Sequence, residues 1–223
     1  MRNLLKNPRW KSSDLGNPLP DSIHAVSVAL PTWSDVTNYE EKAPECINSL
    51  KAIYPRFGLN PLLKKLVSQI LYEYSLNNHD AWPYPDRYSA LKAKSYCDNH
   101  TSSKNSFIKI KGNLYYLITK EEASNCARTF WQHTGLGASS RQGAIDLNLE
   151  LSPEKNLVNK CKFKLIERIS KSTNSDPKLT YLTSSGMSAF YTALEIIYKI
   201  FPKRPTLQIG FPYVDVLKLP KNI

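Results

Sequence analysis

The chain has 223 residues, 41% hydrophobic and 22% charged, an ordinary balance for a soluble globular protein and enough for one or two domains with a sizeable core. It has no apolar run of about eighteen residues to cross a membrane, and the start, MRNLLKNPRWKSSD, is too poor in apolar residues for a secretory signal, so a cytoplasmic protein is expected. The formal net charge of +11 suits small anionic ligands, and because the lysines are spread along the chain rather than gathered in a stripe, no nucleic-acid partner and no membrane partner is expected.

Residues 1 to about 20 lack periodicity, and Pro8, Gly16, Pro18 and Pro20 exclude a long helix, so an extended arm is predicted. His24 to Leu30 alternates weakly, as a strand or a surface-crossing segment would, and Pro31 to Asp35 turns the chain. Tyr39 to Lys51 carries Ile47 and Leu50 at helical spacing, with Pro44 near a helix start. Asn60-Pro61 is a cap with proline at the first helical position, and Leu62, Leu63, Leu66, Val67, Ile70 and Leu71 draw an apolar stripe to about Tyr74. Arg87 to Asp98 reads as a helix. Ser106 to Thr119 holds two β-rich runs around Gly112-Asn113, a hairpin signal. Lys120 to His133 is helical, with Ala123, Cys126, Ala127, Phe130 and Trp131 on one face, and Gly135 is its C-cap. Asn156 to Ile169 is another helix, with Leu157, Val158, Cys161, Leu165 and Ile169 expected inside. The glycines of HTGLGASSRQG miss the dinucleotide-binding spacing. Cys46, Cys97, Cys126 and Cys161 lack metal or disulfide spacing, as do the four histidines, and no metal site is expected.

The stretch that organises the rest is Leu179 to Leu194. Thr180, Tyr181 and Leu182 are β-formers, Thr183 to Gly186 is a small-residue turn, and Met187, Phe190, Tyr191, Leu194 and Ile197 recur on one helical face. A helix opening on small residues offers free N–H groups and the positive end of its dipole to an anion, and Gly186 admits close approach. Thr206 to Gly210 is the next predicted strand, parallel to the first if the helix is an ordinary crossover. Phe211-Pro212-Tyr213 would then lie on the same sheet edge as the turn.

Tyr54-Pro55-Arg56-Phe57-Gly58-Leu59-Asn60-Pro61, Ser185-Gly186-Met187-Ser188-Ala189 and Gly210-Phe211-Pro212-Tyr213 resemble, in order, three signatures of the Cys/Met-metabolism family of pyridoxal-phosphate enzymes. Asp21 to Glu41 and Trp131 to Gly135 are similar to its long, cystathionine γ-synthase-like branch in particular. The resemblance implies an α/β fold: the start of a fold type I large domain, incomplete, behind an extended N-terminal arm. The arm would span 1–60 and the pyridoxal-phosphate domain 61–223, with an α/β insertion at about 77–178. It implies pyridoxal 5'-phosphate as cofactor, gripped by Ser185, Gly186 and Met187 and stacked by Tyr213. Tyr54 and Arg56 would reach a neighbour's phosphate, although Pro55 replaces the usual serine. An arginine fork suits phosphate oxygens.

The implied reaction is γ-replacement, in which cysteine displaces the acyl group of an O-acylhomoserine to give cystathionine, and a cystathionine lyase is the nearest alternative. Small amino-acid substrates and a homo-oligomer, or a dimer with a full-length homologue, are the implied partners. No residue of the chain matches the family's Schiff-base lysine. Lys218 and Lys221 fall too soon and lack its context, and Asp215 is too near the strand to be the pyridine partner. No catalytic residue is therefore assigned, and the chain alone is expected to be inactive. A non-catalytic partner of a full-length homologue is a further possibility, and a basic RNA- or DNA-binding module is disfavoured.

Overall fold

Leu114–Lys120 is the strand around which the chain folds. A computed structural model describes residues 3, 5–54, 57–102, 104–202 and 204–222. In chain order its main elements are β1 (Pro18–Leu19), β2 (Ser27–Val28), α1 (Trp33–Glu40), α2 (Pro44–Ser49), α3 (Pro61–Glu73), β3 (His79–Tyr84), α4 (Arg87–His100), β4 (Phe107–Lys111), β5 (Leu114–Lys120), α5 (Glu121–Thr134), α6 (Ser140–Asp146), α7 (Lys155–Thr173), α8 (Gly186–Ile200) and α9 (Val214–Asn222).

The larger sheet is antiparallel, in the order β3-β5-β4, with Trp82 opposite Leu117 and Ile108 opposite Leu117 on the other side. The central strand is covered on both faces, so its side chains alternate between two apolar layers rather than between core and water. Leu117 joins Tyr84, Ala90, Ala93, Cys97, Ala127, Phe130, Tyr191 and Leu219 in one layer, which α4, α5, α8 and α9 supply. Leu114, Tyr116 and Ile118 join Leu63, Leu66, Ile70 and Ala81 in the other, under α3. The hairpin turns at Gly112, in the left-handed region at φ +58, and the Asp146 carboxylate at the end of α6 accepts Asn113 N at 3.0 Å and Asn113 Nδ2 at 2.7 Å.

Local chemistry explains the helix starts. Thr32 and Asp35 form a capping box at α1, and the Asn60 side chain accepts Leu62 N ahead of Pro61 at α3. Asp86 accepts Ser89 N at 2.8 Å to begin α4. The arm is tied down as a short antiparallel pair, β1 with β2, and His24 fastens it to the domain by contacts with Ser140 Oγ at 3.0 Å and Glu150 Oε1 at 2.7 Å.

Expectations for two regions need correction. The parallel strands expected at Thr180–Leu182 and Thr206–Gly210 do not form. Tyr181, Leu207 and Ile209 are more than four-fifths exposed, and a parallel strand needs a hydrogen-bonded neighbour that neither segment has among the described residues. The expected interior face of α7 is mostly in solvent: Leu157, Leu165, Ile169 and Cys161 are exposed, and Ser170 is its one described buried residue. The helix start expected near Pro44 is present: α2 opens at Pro44, after α1 has ended at Glu40. No described helix is long and apolar enough to cross a membrane.

Candidate functional site

The start of α8 is fixed by the end of α5. Gly135 closes α5 in the left-handed region at φ +65, a conformation that favours glycine. Its carbonyl accepts the Ser185 hydroxyl at 3.3 Å and the Ser184 hydroxyl at 3.4 Å. The approach is tight: a Cβ on Gly135 would lie 2.4 Å from Ser185 Oγ and 2.9 Å from Met187 Cβ. Ser185 and Ser188 then form a reciprocal capping box, with Ser188 N donating to Ser185 Oγ at 3.1 Å and Ser185 N donating to Ser188 Oγ at 2.9 Å. The first two helical N–H groups, on Gly186 and Met187, have no partner among the described residues, and a Cβ at Gly186 would meet nothing within 4 Å. The first turn of α8 therefore keeps two donors at its positive end and open space in front of them.

Packing from α5, with an ion pair from α4, holds the body of α8 in register. Tyr191 makes an edge-on contact with Phe130 at 5.9 Å, and Lys92 pairs with Glu195 while lying over the Tyr88 ring at 4.8 Å. Burial, reinforced by the Glu195 carboxylate, pushes the Tyr191 phenol well above its ordinary range. Burial alone would lower the Lys92 ammonium, but its bond to Glu195 outweighs this and raises it.

The turn opens into a cleft of about 620 Å³ whose walls come from the arm, α5, α6, the α8 turn and the start of α9. Of the residues expected at a site, Tyr54, Ser185, Met187 and Tyr213 line this one cleft, and Gly186 sits between two of them. Thus two loops expected to face each other do so without the parallel strands expected to position them. The contacts α5·α8, α5·α9 and α8·α9 bring them together instead. Phe211 points fully into solvent, and Arg56 and Pro55 lie outside the described residues. The Ser185 hydroxyl is committed to the cap and to Gly135, so its contribution to the cleft is to present the neighbouring backbone.

Several lining residues had no role assigned from sequence. Trp131 forms part of the wall 93% buried, with its indole nitrogen against Gly137, where a Cβ would come within 2.2 Å. His24, Ser140 and Arg141 come from segments far apart in sequence, which no local pattern could have joined. Asp215 is 1% exposed, with His133 Nδ1 at 3.5 Å and Lys218 Nζ at 3.7 Å. A second cleft of about 540 Å³ shares Ile53, Gly58 and Trp131 with the first but collects none of the expected site residues.

These features fit the phosphate and ring of a pyridoxal cofactor: two unpartnered backbone donors, an unobstructed glycine, and the Tyr213 and Trp131 rings. They do not supply a linking lysine, since no lysine lines the cleft among the described residues.

Residues 62–139 match the family model for the N-terminal domain of fungal trans-sulfuration enzymes, a span running from α3 through the whole β3-β5-β4 sheet to Ser139. The chain is 28% identical over 155 residues to cystathionine γ-synthase of Saccharomyces cerevisiae, which is 62% of this chain and 24% of that protein. It is 28% identical over 149 residues to the same yeast's YML082W, itself named as a candidate cystathionine γ-synthase (58% and 23%). The cystathionine γ-synthase-like enzyme iboG2 of Amanita muscaria is 27% identical over 158 residues (58% and 25%). The chain thus spans about a quarter of the length of the curated relatives it matches. No solved structure gives a significant match. Over residues 62–139 the chain is thus similar to the N-terminal domain of the fungal trans-sulfuration enzymes, and across about 60% of its length it is similar in sequence to cystathionine γ-synthases.

Proposed function

We propose that the chain is the N-terminal part of a pyridoxal-phosphate-dependent trans-sulfuration enzyme of fold type I, acting as a cystathionine γ-synthase on an O-acylhomoserine and cysteine. The observation that carries this reading is the meeting of the α8 turn and Tyr213 on one cleft, with the Gly186 and Met187 N–H groups unpartnered among the described residues. The homologues' names support the trans-sulfuration class.

In this reading Gly186 and Met187 donate to the cofactor phosphate from the positive end of α8. Tyr213 stacks on the ring, a contact worth on the order of 0.5–1.5 kcal/mol beyond its buried area. Tyr54 and Arg56 of a second subunit complete the phosphate grip, which makes the working form a homo-oligomer or a dimer with a full-length homologue. Bound pyridoxal 5'-phosphate supplies an electron sink for the amino-acid skeleton. The chain's own residues bind and orient it, and the linking lysine and the group that protonates the ring nitrogen come from polypeptide beyond these residues. The arm is residues 1–60, and about 77–178 is structure added relative to shorter members of the family.

The test separates binding from turnover. Pyridoxine 5'-phosphate, which has no aldehyde to condense with surface lysines, should bind the purified chain. The chain supplied with pyridoxal 5'-phosphate, cysteine and an O-acylhomoserine should form no cystathionine. Absence of binding removes the cofactor assignment, and cystathionine formed by the chain alone removes the division of labour.

A further inference from the structure

We propose that Arg141 is the anion anchor of the cleft, taking an oxyanion of the ligand, phosphate or carboxylate, through its guanidinium fork; this rests on the cleft being the ligand site proposed above. Among the described residues, three acidic, basic or histidine side chains line the cleft: His24, Arg141 and Asp215. Two are already engaged. The His24 ring lies between Ser140 Oγ at 3.0 Å and Glu150 Oε1 at 2.7 Å, and the Asp215 carboxylate sits beside Lys218 at 3.7 Å and His133 at 3.5 Å. Arg141 is exposed and has no hydrogen-bond or ion-pair partner among the described residues. Among the described residues, the cleft's one unanswered charge is therefore positive.

Position supports the assignment. Arg141 is the second residue of α6, whose start is locked by the Ser139–Gln142 capping box, with Ser139 N donating to Gln142 Oε1 at 2.9 Å. The buried Gly143, packed on Leu62 and Leu63, and the Asp146–Asn113 bonds fix the rest of α6 against α3 and the hairpin turn. The guanidinium thus rises from a rigid base. Within the same walls, the α8 turn offers a second positive element of different chemistry, two backbone donors. A cleft with a fork-shaped cation, two backbone donors and aromatic walls suits a ligand assembly that carries more than one anionic group around a flat ring. A phosphorylated ring with an amino-acid carboxylate beside it has that composition.

The experiment measures binding to the full chain by titration calorimetry, for the native protein, Arg141→Gln and Arg141→Lys. The probes are pyridoxine 5'-phosphate, pyridoxine and cystathionine. A charge-assisted bidentate contact predicts that Arg141→Gln weakens at least one anionic probe by about 10- to 100-fold. Pyridoxine should be unaffected, and Arg141→Lys should recover part of the loss as a point charge without the fork. Loss confined to pyridoxine 5'-phosphate assigns Arg141 to the phosphate, and loss confined to cystathionine assigns it to a carboxylate. Native binding of pyridoxine 5'-phosphate with no change for either anion in Arg141→Gln overturns the anchor and leaves the cofactor reading standing. Native binding of cystathionine alone, weakened by the substitution, keeps the anchor and removes the cofactor reading. No native binding of either anion overturns both. The melting temperature should not move in either variant, because Arg141 is exposed and makes no hydrogen bond or ion pair with the described residues, so a lost affinity cannot be ascribed to unfolding.

Discussion

Gly135→Ala is the perturbation that most cleanly separates the construction of the site from its chemistry. Gly135 has φ +65, and a left-handed conformation costs an L-residue roughly 1–2 kcal/mol. The added methyl would also sit 2.4 Å from Ser185 Oγ, 2.9 Å from Met187 Cβ and 3.0 Å from Ser188 N. The hydroxyl can rotate away only by abandoning Ser188 N and the Gly135 carbonyl, and losing such a cap costs about 0.5–2 kcal/mol. The backbone of Ser188 cannot retreat unless α8 moves, and overpacking of that kind costs roughly 1–3 kcal/mol. These terms overlap, so the expected destabilisation is about 2–5 kcal/mol. Urea denaturation reads it as a lower midpoint with an unchanged slope. The paired control is Gly186→Ala, where the new methyl enters open space. Its stability should stay within about 0.5 kcal/mol of the native chain, while affinity for pyridoxine 5'-phosphate falls. If Gly135→Ala leaves stability untouched, or Gly186→Ala costs as much, the account of how α5 seats α8 is wrong.

Other expectations follow from the same packing. Phe130, 1% exposed and in ring contact with Tyr84, Tyr96 and Tyr191, should cost about 3–5 kcal/mol when replaced by alanine, read by chemical denaturation. Ile197→Ser, on the half-exposed outer face of α8, should change the stability of this chain by less than about 0.5 kcal/mol, and a large loss would mean that face is covered. Stability should fall at alkaline pH. Burial raises the Tyr84, Tyr116 and Tyr191 phenols and pushes the Cys97 thiol up to about 12, while the Glu195 bond raises Lys92. All are raised in the folded state, so their contribution is whole below the unfolded values and is lost as pH climbs from about 9 through the folded ones. A melting temperature flat from neutral pH to about 12 would contradict those burials.

Much of the local structure could be read from the residues, because local chemistry decides it. Asn60-Pro61 opens α3, Gly112-Asn113 turns the hairpin, Gly135 caps α5, and α8 runs from Gly186 to Ile200 as its apolar spacing predicts. What escaped is what depends on distant partners. β3 (His79–Tyr84) carries a proline and a histidine and announces itself only through its pairing with β5. α9 contains Pro220, which local rules set against a helix interior, and it is held by the burial of Asp215, Val216 and Leu219. The Thr206–Gly210 segment has the composition of a buried parallel strand, yet composition cannot supply the neighbour such a strand requires. At the site, the turn and Tyr213 were legible as motifs, whereas His24, Ser140 and Arg141 reach the cleft only through tertiary folding.

The most direct test of the central claim is a ¹⁵N amide spectrum of the full chain titrated with pyridoxine 5'-phosphate. The account predicts that the Gly186 and Met187 amides move downfield on saturation, as donors to the phosphate, with Gly135 and Tyr213 perturbed beside them and the amides of α7 still. Saturable binding that leaves Gly186 and Met187 in place, with the changes gathered elsewhere, would contradict it.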